Sequence, residues 1–551
     1  MAWQQTHETF NQFDEQRGYD LYATDTALRE CVRAAGAGWA EEQLGAYGRA
    51  MGGEEMFEHA ALANRHPPEL QAFDARGRRI DFVEFHPSWH AVMAQARRGG
   101  LASLALRDAR PGRWVANMAG FYMHCEVESG STCPTIMTFA AIPLLRREPA
   151  LWAQLGDKLL SDDYDPRDLP IARKRSIYIG MGMTEKQGGS DVRANTTAAT
   201  PIGAGGRGGE YLIRGHKWFF SAPMCDAHLV VARTPEGDPS CFFVPRWKPD
   251  GSKNAVRVQR LKDKLGNKSN SSSEVEFEDA WGIQIGEDGR GIPTIIEMAG
   301  YTRMACVVSS AAFVRQALVQ ALAYARRREA FGKVLAAQPL MRNVLADLAL
   351  ESEAALVLGM RIAAAFEREE DALERIWKRI VTPAAKFWVC KRALELTGEA
   401  MEVFGGNGYV ENGTLARLYR EAPVNSIWEG SGNVMCLDVM RAVARDPHGF
   451  LALLDRFAEQ AAGDAAVLRE VDGLRALLAS PPEQLEGLGR LFAERLVLLT
   501  QAVLLRESSP GYVADAFIAT RLGARWGHVV GAFDGRAIDI DRLLERALPA
   551  G

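Results

Sequence analysis

From residue 1 to about 180, apolar positions recur at helical spacing in Ala- and Leu-rich segments, with interruptions at His66-Pro67-Pro68 and at 74–79. This predicts a helical region, closed by a loop over the polar stretch 161–170. The texture then changes. Runs at 176–181, 211–220, 228–233, 240–245, 256–261 and 274–279 are short, rich in β-branched and aromatic residues, and separated by turn-formers. Such a series predicts an antiparallel barrel or sandwich, with the glycine-rich 203–209 as an exposed hairpin tip. Helical periodicity returns at about 293. Pro339 opens a long amphipathic run through Glu369, and Thr382-Pro383 opens another, with Thr as N-cap and Pro at the first helical position. Gly405-Gly406 closes that second run, and a third begins near Asn433. Long helices with short connections predict a bundle. Past about 445 lies a further helical segment broken at Ser480-Pro481-Pro482 and Ser508-Ser509-Pro510. The reading is an α+β chain of four parts: 1–180 helical, 181–290 β-barrel, 291–445 helical bundle, 446–551 additional helical segment.

At 551 residues the chain is too long for one core, which agrees with several domains. A net charge of −5 supplies no global attraction to nucleic acid or an anionic membrane. The N-terminus has no basic and apolar leader, and no run of about 18 apolar residues stands out as a membrane span. The eight cysteines are scattered, with no CxxC pair and no His/Cys cluster, which argues for reduced thiols and against a zinc site. The expectation is a cytoplasmic protein without bound metal and without a membrane partner.

Four short clusters carry chemistry. The first is Met183-Thr184-Glu185-Lys186-Gln187-Gly188-Gly189-Ser190-Asp191, where paired glycines let the backbone approach a ligand. It reads as a plain turn or as a cradle for a pyrophosphate or flavin edge. In Gly215-His216-Lys217-Trp218-Phe219-Phe220-Ser221, alternation would place Trp218 and Phe220 on one face and Phe219 and Ser221 on the other. These side chains fill a barrel, or else an aromatic and a hydroxyl cover a flat ring and bond its edge. The third, Ser426-Ile427-Trp428-Glu429-Gly430-Ser431-Gly432-Asn433, sets a carboxylate between a tryptophan and a Gly-Ser-Gly turn at a helix start. It is a general base or an acid favoured by the helix dipole. Arg326-Arg327-Arg328, followed by Gln338, is a solvated face or a source of one phosphate-binding guanidinium.

In this order and spacing the four clusters resemble the acyl-CoA dehydrogenase family, and more narrowly its AidB-like branch, associated with the adaptive response to alkylation damage. Further branch-like features are Leu-Lys-Asp-Lys-Leu-Gly-Asn-Lys-Ser-Asn at 261–270 and Phe-His-Pro-Ser-Trp-His at 85–90. The resemblance spans essentially the whole chain. It implies FAD between barrel and bundle, held by Met183, Thr184, Gln187, Gly188, Gly189, Ser190, Phe219, Phe220, Ser221, Ile427, Trp428, Gly430, Ser431 and Asn433. Within that set Thr184 meets the pyrimidine edge, Phe219 covers the isoalloxazine and Ser221 bonds the N5 edge. Arg328 and Gln338 match residues that reach the FAD of a neighbouring subunit, which implies a homotetramer. Glu429 matches the base that removes the α-proton of an acyl-CoA, and Thr184, Ser190 and Arg303 match positions near the substrate. Lys186-Gln187 replaces the family's usual Pro-Gly, and Ser-Gly-Asn replaces Thr-Ser-Gln after the base.

The branch also associates the segment 446–551 with double-stranded DNA. Residues 441–551 hold thirteen Arg and no Lys against fifteen Asp plus Glu, a balance of −2, whereas DNA-binding domains are ordinarily basic. Arg521 and Arg525, one helical turn apart, are the candidate patch.

Overall fold

A computed structural model describes residues 6–235, 237, 239–461, 463–523 and 526–549. The first part is helical, dominated by the buried helices Arg113–Val127 and Thr132–Arg146. It also holds a hairpin, Glu69–Phe73 paired antiparallel with Arg79–Glu84, where the helical spacing is interrupted.

The strands of the middle part close into a barrel. Ala227–Arg233 pairs with Pro239–Pro245, which pairs with Ser272–Ile285, which pairs with Glu210–Ser221. That strand pairs with Ala198–Pro201, whose Ala198 pairs back with Arg233. Ile179–Gly182 and Val256–Leu261 flank the ring. The sheet is not wholly antiparallel: Ile179–Gly182 and Ala198 both run parallel to Ala227–Arg233. Inside lie Tyr211, Ile213, Phe220, Phe242 and Phe277.

Helices Gly291–Ala325, Pro339–Glu367 and Thr382–Val403 form the bundle. The first is long and apolar enough to cross a membrane by composition, contrary to the sequence reading, but that apolar stretch is buried among the neighbouring helices. Thr382 is not an N-cap. Its hydroxyl bonds the Trp377 carbonyl, and the chain runs on helically from Ala372–Ile376 through a widened turn, Trp377–Val381. Pro383 has no N–H to give, and the wide turn absorbs that loss.

The last segment packs on the bundle. Gly489–Ser508 lies against Pro339–Glu367 and Thr382–Val403. Arg521 is buried and pairs with Asp347 and with Glu351 at 2.9 Å. It is an internal tie and not part of a surface patch, because only paired carboxylates make its burial tolerable. Arg525 lies outside the described residues.

Candidate functional site

The turn after Ile179–Gly182 is held by a buried carboxylate. Glu185 is 0% exposed and pairs with Lys217 at 2.8 Å. Its other oxygen accepts from Thr196 N–H at 2.7 Å and from Gln187 Nε2 at 2.8 Å. Burial opposes its charge, but Lys217 and the threonine donors outweigh that and hold its carboxyl well below the usual range. The Trp218 N–H donates to the Thr184 carbonyl at 2.8 Å, joining the turn to the next strand. Gly188 adopts φ 143 with open space where a Cβ would stand. A Cβ on Gly189 would lie 2.5 Å from Thr184 Oγ1. Met183 is half-buried and its carbonyl accepts from Asn195, while Ser190 is exposed.

Strict alternation fails in Glu210–Ser221 at a bulge between Lys217 and Phe220. Lys217 and Phe220 both point inward, three residues apart. Phe220 therefore does not share a face with Trp218. It is 1% exposed inside the barrel, its ring 3.9 Å from that of His228, so its side chain offers no face to a cofactor. Phe219 points outward and is 54% exposed. The Lys262 ammonium lies 4.4 Å from the Phe219 ring centre and 3.8 Å from that of Trp218.

Glu429 sits in the turn between Thr414–Asn425 and Gly432–Arg445, in a left-handed conformation, φ 58. Such a backbone costs a non-glycine residue roughly 1–2 kcal/mol and persists only where neighbours over-determine it. Here they do. Arg303 Nε donates to the Glu429 carbonyl at 3.1 Å, and Lys386 Nζ to the Gly430 carbonyl at 2.8 Å. Arg303 is itself braced by Asp438 at 2.8 Å, which Arg379 also holds. The Glu429 carboxylate accepts one hydrogen bond, from Thr302 Oγ1 at 2.7 Å. Trp428 Nε1 donates to Asn425, whose amide reaches Ser309 and Ser310.

These distant stretches meet. Met181, Ala222 and Trp428 pack in one apolar cluster with Trp89, Cys133 and Tyr178. The Cys133 thiol neighbours the Ser221 hydroxyl and lies in the field of Glu429; burial pushes it up to about 11, so it stays a neutral thiol. Ile427 is exposed at the rim. Arg328 and Gln338 stand apart from this cluster. Arg328 bonds the Asn11 carbonyl and Gln338 the Ala330 carbonyl, beside a hairpin whose Phe331 is 99% exposed. Arg326 and Arg327 likewise hold main-chain carbonyls, of Leu548 and Asp14.

Sequence profiles match in three consecutive blocks: the adaptive response protein AidB N-terminal domain over 11–166, the acyl-CoA dehydrogenase middle domain over 180–280, and the acyl-CoA dehydrogenase C-terminal domain over 289–444. The chain is 48% identical over 530 residues to the Escherichia coli (strain K12) protein named "Putative acyl-CoA dehydrogenase AidB", covering 96% of each chain. The chain belongs to the acyl-CoA dehydrogenase family, in its AidB-like branch. It is also 30% identical to acyl-CoA dehydrogenase family member 11 of Caenorhabditis elegans, over 72% of this chain and 66% of that one. Among solved structures, Bd2924 in its apo-form superposes with a TM-score of 0.83 at 29% identity, covering 90% of this chain and 99% of that one. The Caenorhabditis elegans ACDH-11 complex with C11-CoA gives 0.83 at 24% identity, 98% and 93% covered.

Membership makes the chain an oxidoreductase of a flavoprotein family with FAD as cofactor, and the residues present fit that group. The side chains of Thr184, Ser190, Ser431 and Asn433 make no hydrogen bond among the described residues, and the Phe219 ring is largely exposed, with the Lys262 ammonium close to it. Gln187 fits less directly, since its amide is committed to Glu185 and to the Ala194 carbonyl at 3.1 Å. Sequence reasoning singled out the acid and, through the resemblance, Arg303 as a residue that orients it, but missed Thr302 and Lys386. Thr302 lies beside Arg303 in a mostly apolar helix, and that pairing was the available signal. Glu185, Lys217 and Lys386 gave none, because their partners are remote in sequence.

Proposed function

We propose that the protein dehydrogenates the α,β-bond of an acyl-CoA. The observation that carries this reading is the Glu429 carboxylate, fixed by Thr302 and by two pinned carbonyls, next to Trp428, which packs in one apolar cluster with Ala222 and with Cys133, the neighbour of Ser221. Glu429 takes the α-proton. Its restricted backbone supplies the positioning such a transfer needs. FAD, when bound, accepts the β-hydride. When FAD is bound, Ser221 would orient the ring edge and Phe219 would cover the ring, and Trp428 with its aromatic neighbours would keep water from the reacting carbons. Arg303 acts through the loop: it bonds the Glu429 main chain and Asp438, so it positions the base. Anaerobic addition of straight and branched short acyl-CoAs should bleach the flavin, and Glu429→Gln should abolish the bleaching. Absence of bleaching with every thioester, or a Glu429→Gln protein that behaves as wild type, overturns the reading.

The exposed Phe331, next to Arg328 and Gln338, supports a homotetramer in which this hairpin reaches a neighbouring subunit's cofactor; the sedimentation mass tests it. Eight free cysteines support a cytoplasmic setting. A second reading, binding of duplex DNA by a flavoprotein that protects it from alkylation, has one favouring observation. Arg441, Arg445, Arg469 and Arg490 are exposed and make no ion pair among the described residues. Against it, Arg456, Arg475, Arg495, Arg506, Arg521, Arg536, Arg542 and Arg546 are all paired with carboxylates. Affinity for a duplex at low salt should fall steeply with added salt and vanish when those four arginines are replaced; no affinity at low salt removes this reading.

A further inference from the structure

Two cations without a counter-charge meet beside the turn that follows the base. A Cβ on Gly432 would lie 3.4 Å from the Lys391 ammonium and 3.4 Å from a terminal guanidinium nitrogen of Arg490. Both charges flank one point, so they stand within about 7 Å of each other, a separation at which like charges repel. Neither makes an ion pair or a side-chain hydrogen bond among the described residues. Their neighbours show what is ordinary here: Arg392 pairs with Glu351 and Glu395, and Arg495 with Glu470.

Helix packing sets this meeting. Gly489 opens Gly489–Ser508 against Met440 and Cys436, where a Cβ would stand 3.5 and 3.6 Å from their side chains. That contact delivers Arg490 to the first turn of Gly432–Arg445, while Lys391 arrives from Thr382–Val403. Both cations lie over the buried ring of Phe387, Lys391 Nζ 5.9 Å and Arg490 Cζ 5.5 Å from its centre, which restricts where they can go. Arg490 also stands in the first turn of its own helix, the end at which a cation is disfavoured. More donors surround the point. The N–H groups of Gly432, Asn433 and Val434 find no acceptor among the described residues, and Ser431 at the N-cap does not bond them.

Donors from three helices thus converge where the protein supplies no acceptor and no negative charge. A phosphate answers both deficits, since it brings charge and several acceptor oxygens. We propose that Lys391 and Arg490 together hold the diphosphate of FAD, so that the segment past residue 445 completes the cofactor site. A diphosphate carries two negative charges, one for each cation, and the unbonded side chains of Ser431 and Asn433 belong to the same turn. This rests on FAD as the cofactor and not on the acyl-CoA reading. The phosphates of coenzyme A and of a DNA backbone share the chemistry, and the test separates them.

The full chain, stripped of flavin, is titrated with FAD, and binding is read from the quenching of flavin fluorescence. Lys391→Met and Arg490→Met should each weaken FAD about ten-fold, and the double variant roughly a hundred-fold. Methionine keeps an apolar stem over Phe387. The double variant should melt, without flavin, no lower than wild type, because a repulsion is gone. Inorganic pyrophosphate should raise the melting temperature of flavin-free wild type and not that of the double variant. Arg490→Lys keeps the charge, guards against a methionine variant that folds poorly, and should retain most of the affinity for FAD. Unchanged FAD affinity in the double variant overturns the proposal. So does a lysine variant as weak as the methionine one, which would show packing and not charge. A loss confined to free coenzyme A, or to a DNA duplex at low salt, overturns it too and gives the two cations to those phosphates. No thioester bleaching is read, so failure of the dehydrogenase reading leaves this result untouched.

Discussion

Two glutamates, each in a glycine-bearing turn, meet opposite fates in this protein. Glu185 is enclosed and spends its lone pairs: one oxygen accepts from Lys217, Thr197 N–H and Thr197 Oγ1, the other from Thr196 and Gln187. Glu429 is half-buried, accepts from one hydroxyl, and has its main chain pinned where its side chain is not. A saturated carboxylate is a structural member that cannot take a proton cheaply. A carboxylate whose backbone is clamped and whose oxygens are largely uncommitted is arranged to move one. The difference lies in where the hydrogen bonds go, not in residue type or local sequence, since both turns read alike on paper.

The comparison is tested most severely by exchanging each acid for its amide. Glu185→Gln leaves the Lys217 ammonium buried without a counter-charge, and the expected loss is about 3–5 kcal/mol of stability together with the flavin. Urea denaturation and the absorbance of the purified variant measure both, and a midpoint equal to wild type would erase the distinction. Glu429→Gln should behave conversely. It should keep its denaturation midpoint within about 0.5 kcal/mol and retain FAD, yet reduce the rate of flavin reduction by a carboxylate base's share, roughly 10²–10⁴-fold. A large fall in stability there would mean that Glu429 is structural after all. Thr302→Val removes the one hydroxyl on the base. The expected cost is roughly ten-fold in the rate of bleaching with little change in thioester affinity, and Thr302→Ser should restore most of it. Equal losses in both variants would show a packing role and not a hydrogen bond.

What was legible before the structure follows the same division. Glycine pairs, aromatic runs and helix punctuation are local signals, and they marked the turns at 183–190 and 426–433, the β-rich middle and the long helices. The bulge at Lys217–Phe220 was not legible, because an extra residue in a strand leaves no mark on alternation until the partner strand is known. Nor was the burial of Arg521, which depends on Asp347 and Glu351 on a helix some 170 positions earlier. Pairings between remote elements are set by packing, and a single sequence carries no direct trace of them. Arg521 was read as a surface candidate because arginine on a helix face usually is one; its burial is what the far acids make possible.

The smallest expected effect concerns pH, and it bears on the loop 264–271, where Lys264 bonds the Asn270 carbonyl. Burial brings Lys264 down from the ordinary 10.5 to about 8, the nearby Glu421 and Asp263 only partly opposing it. Its folded value lies below its unfolded one, so between pH 8 and 10.5 the unfolded chain holds a proton that the folded chain has released. Stability from this group therefore rises with pH across that window, and the burial penalty is fully present below pH 8. Lys217, brought to about 8 in the same way, adds a slope of the same sign, although its pairing with Glu185 works against releasing the proton. Lys264→Met should flatten the rise by about 1 kcal/mol once solvent at its open side is allowed for. Denaturation midpoints at pH 7.5, 9 and 10 measure it. Parallel curves for variant and wild type would show that Lys264 keeps its proton, and that its grip on the Asn270 carbonyl is a charged one throughout.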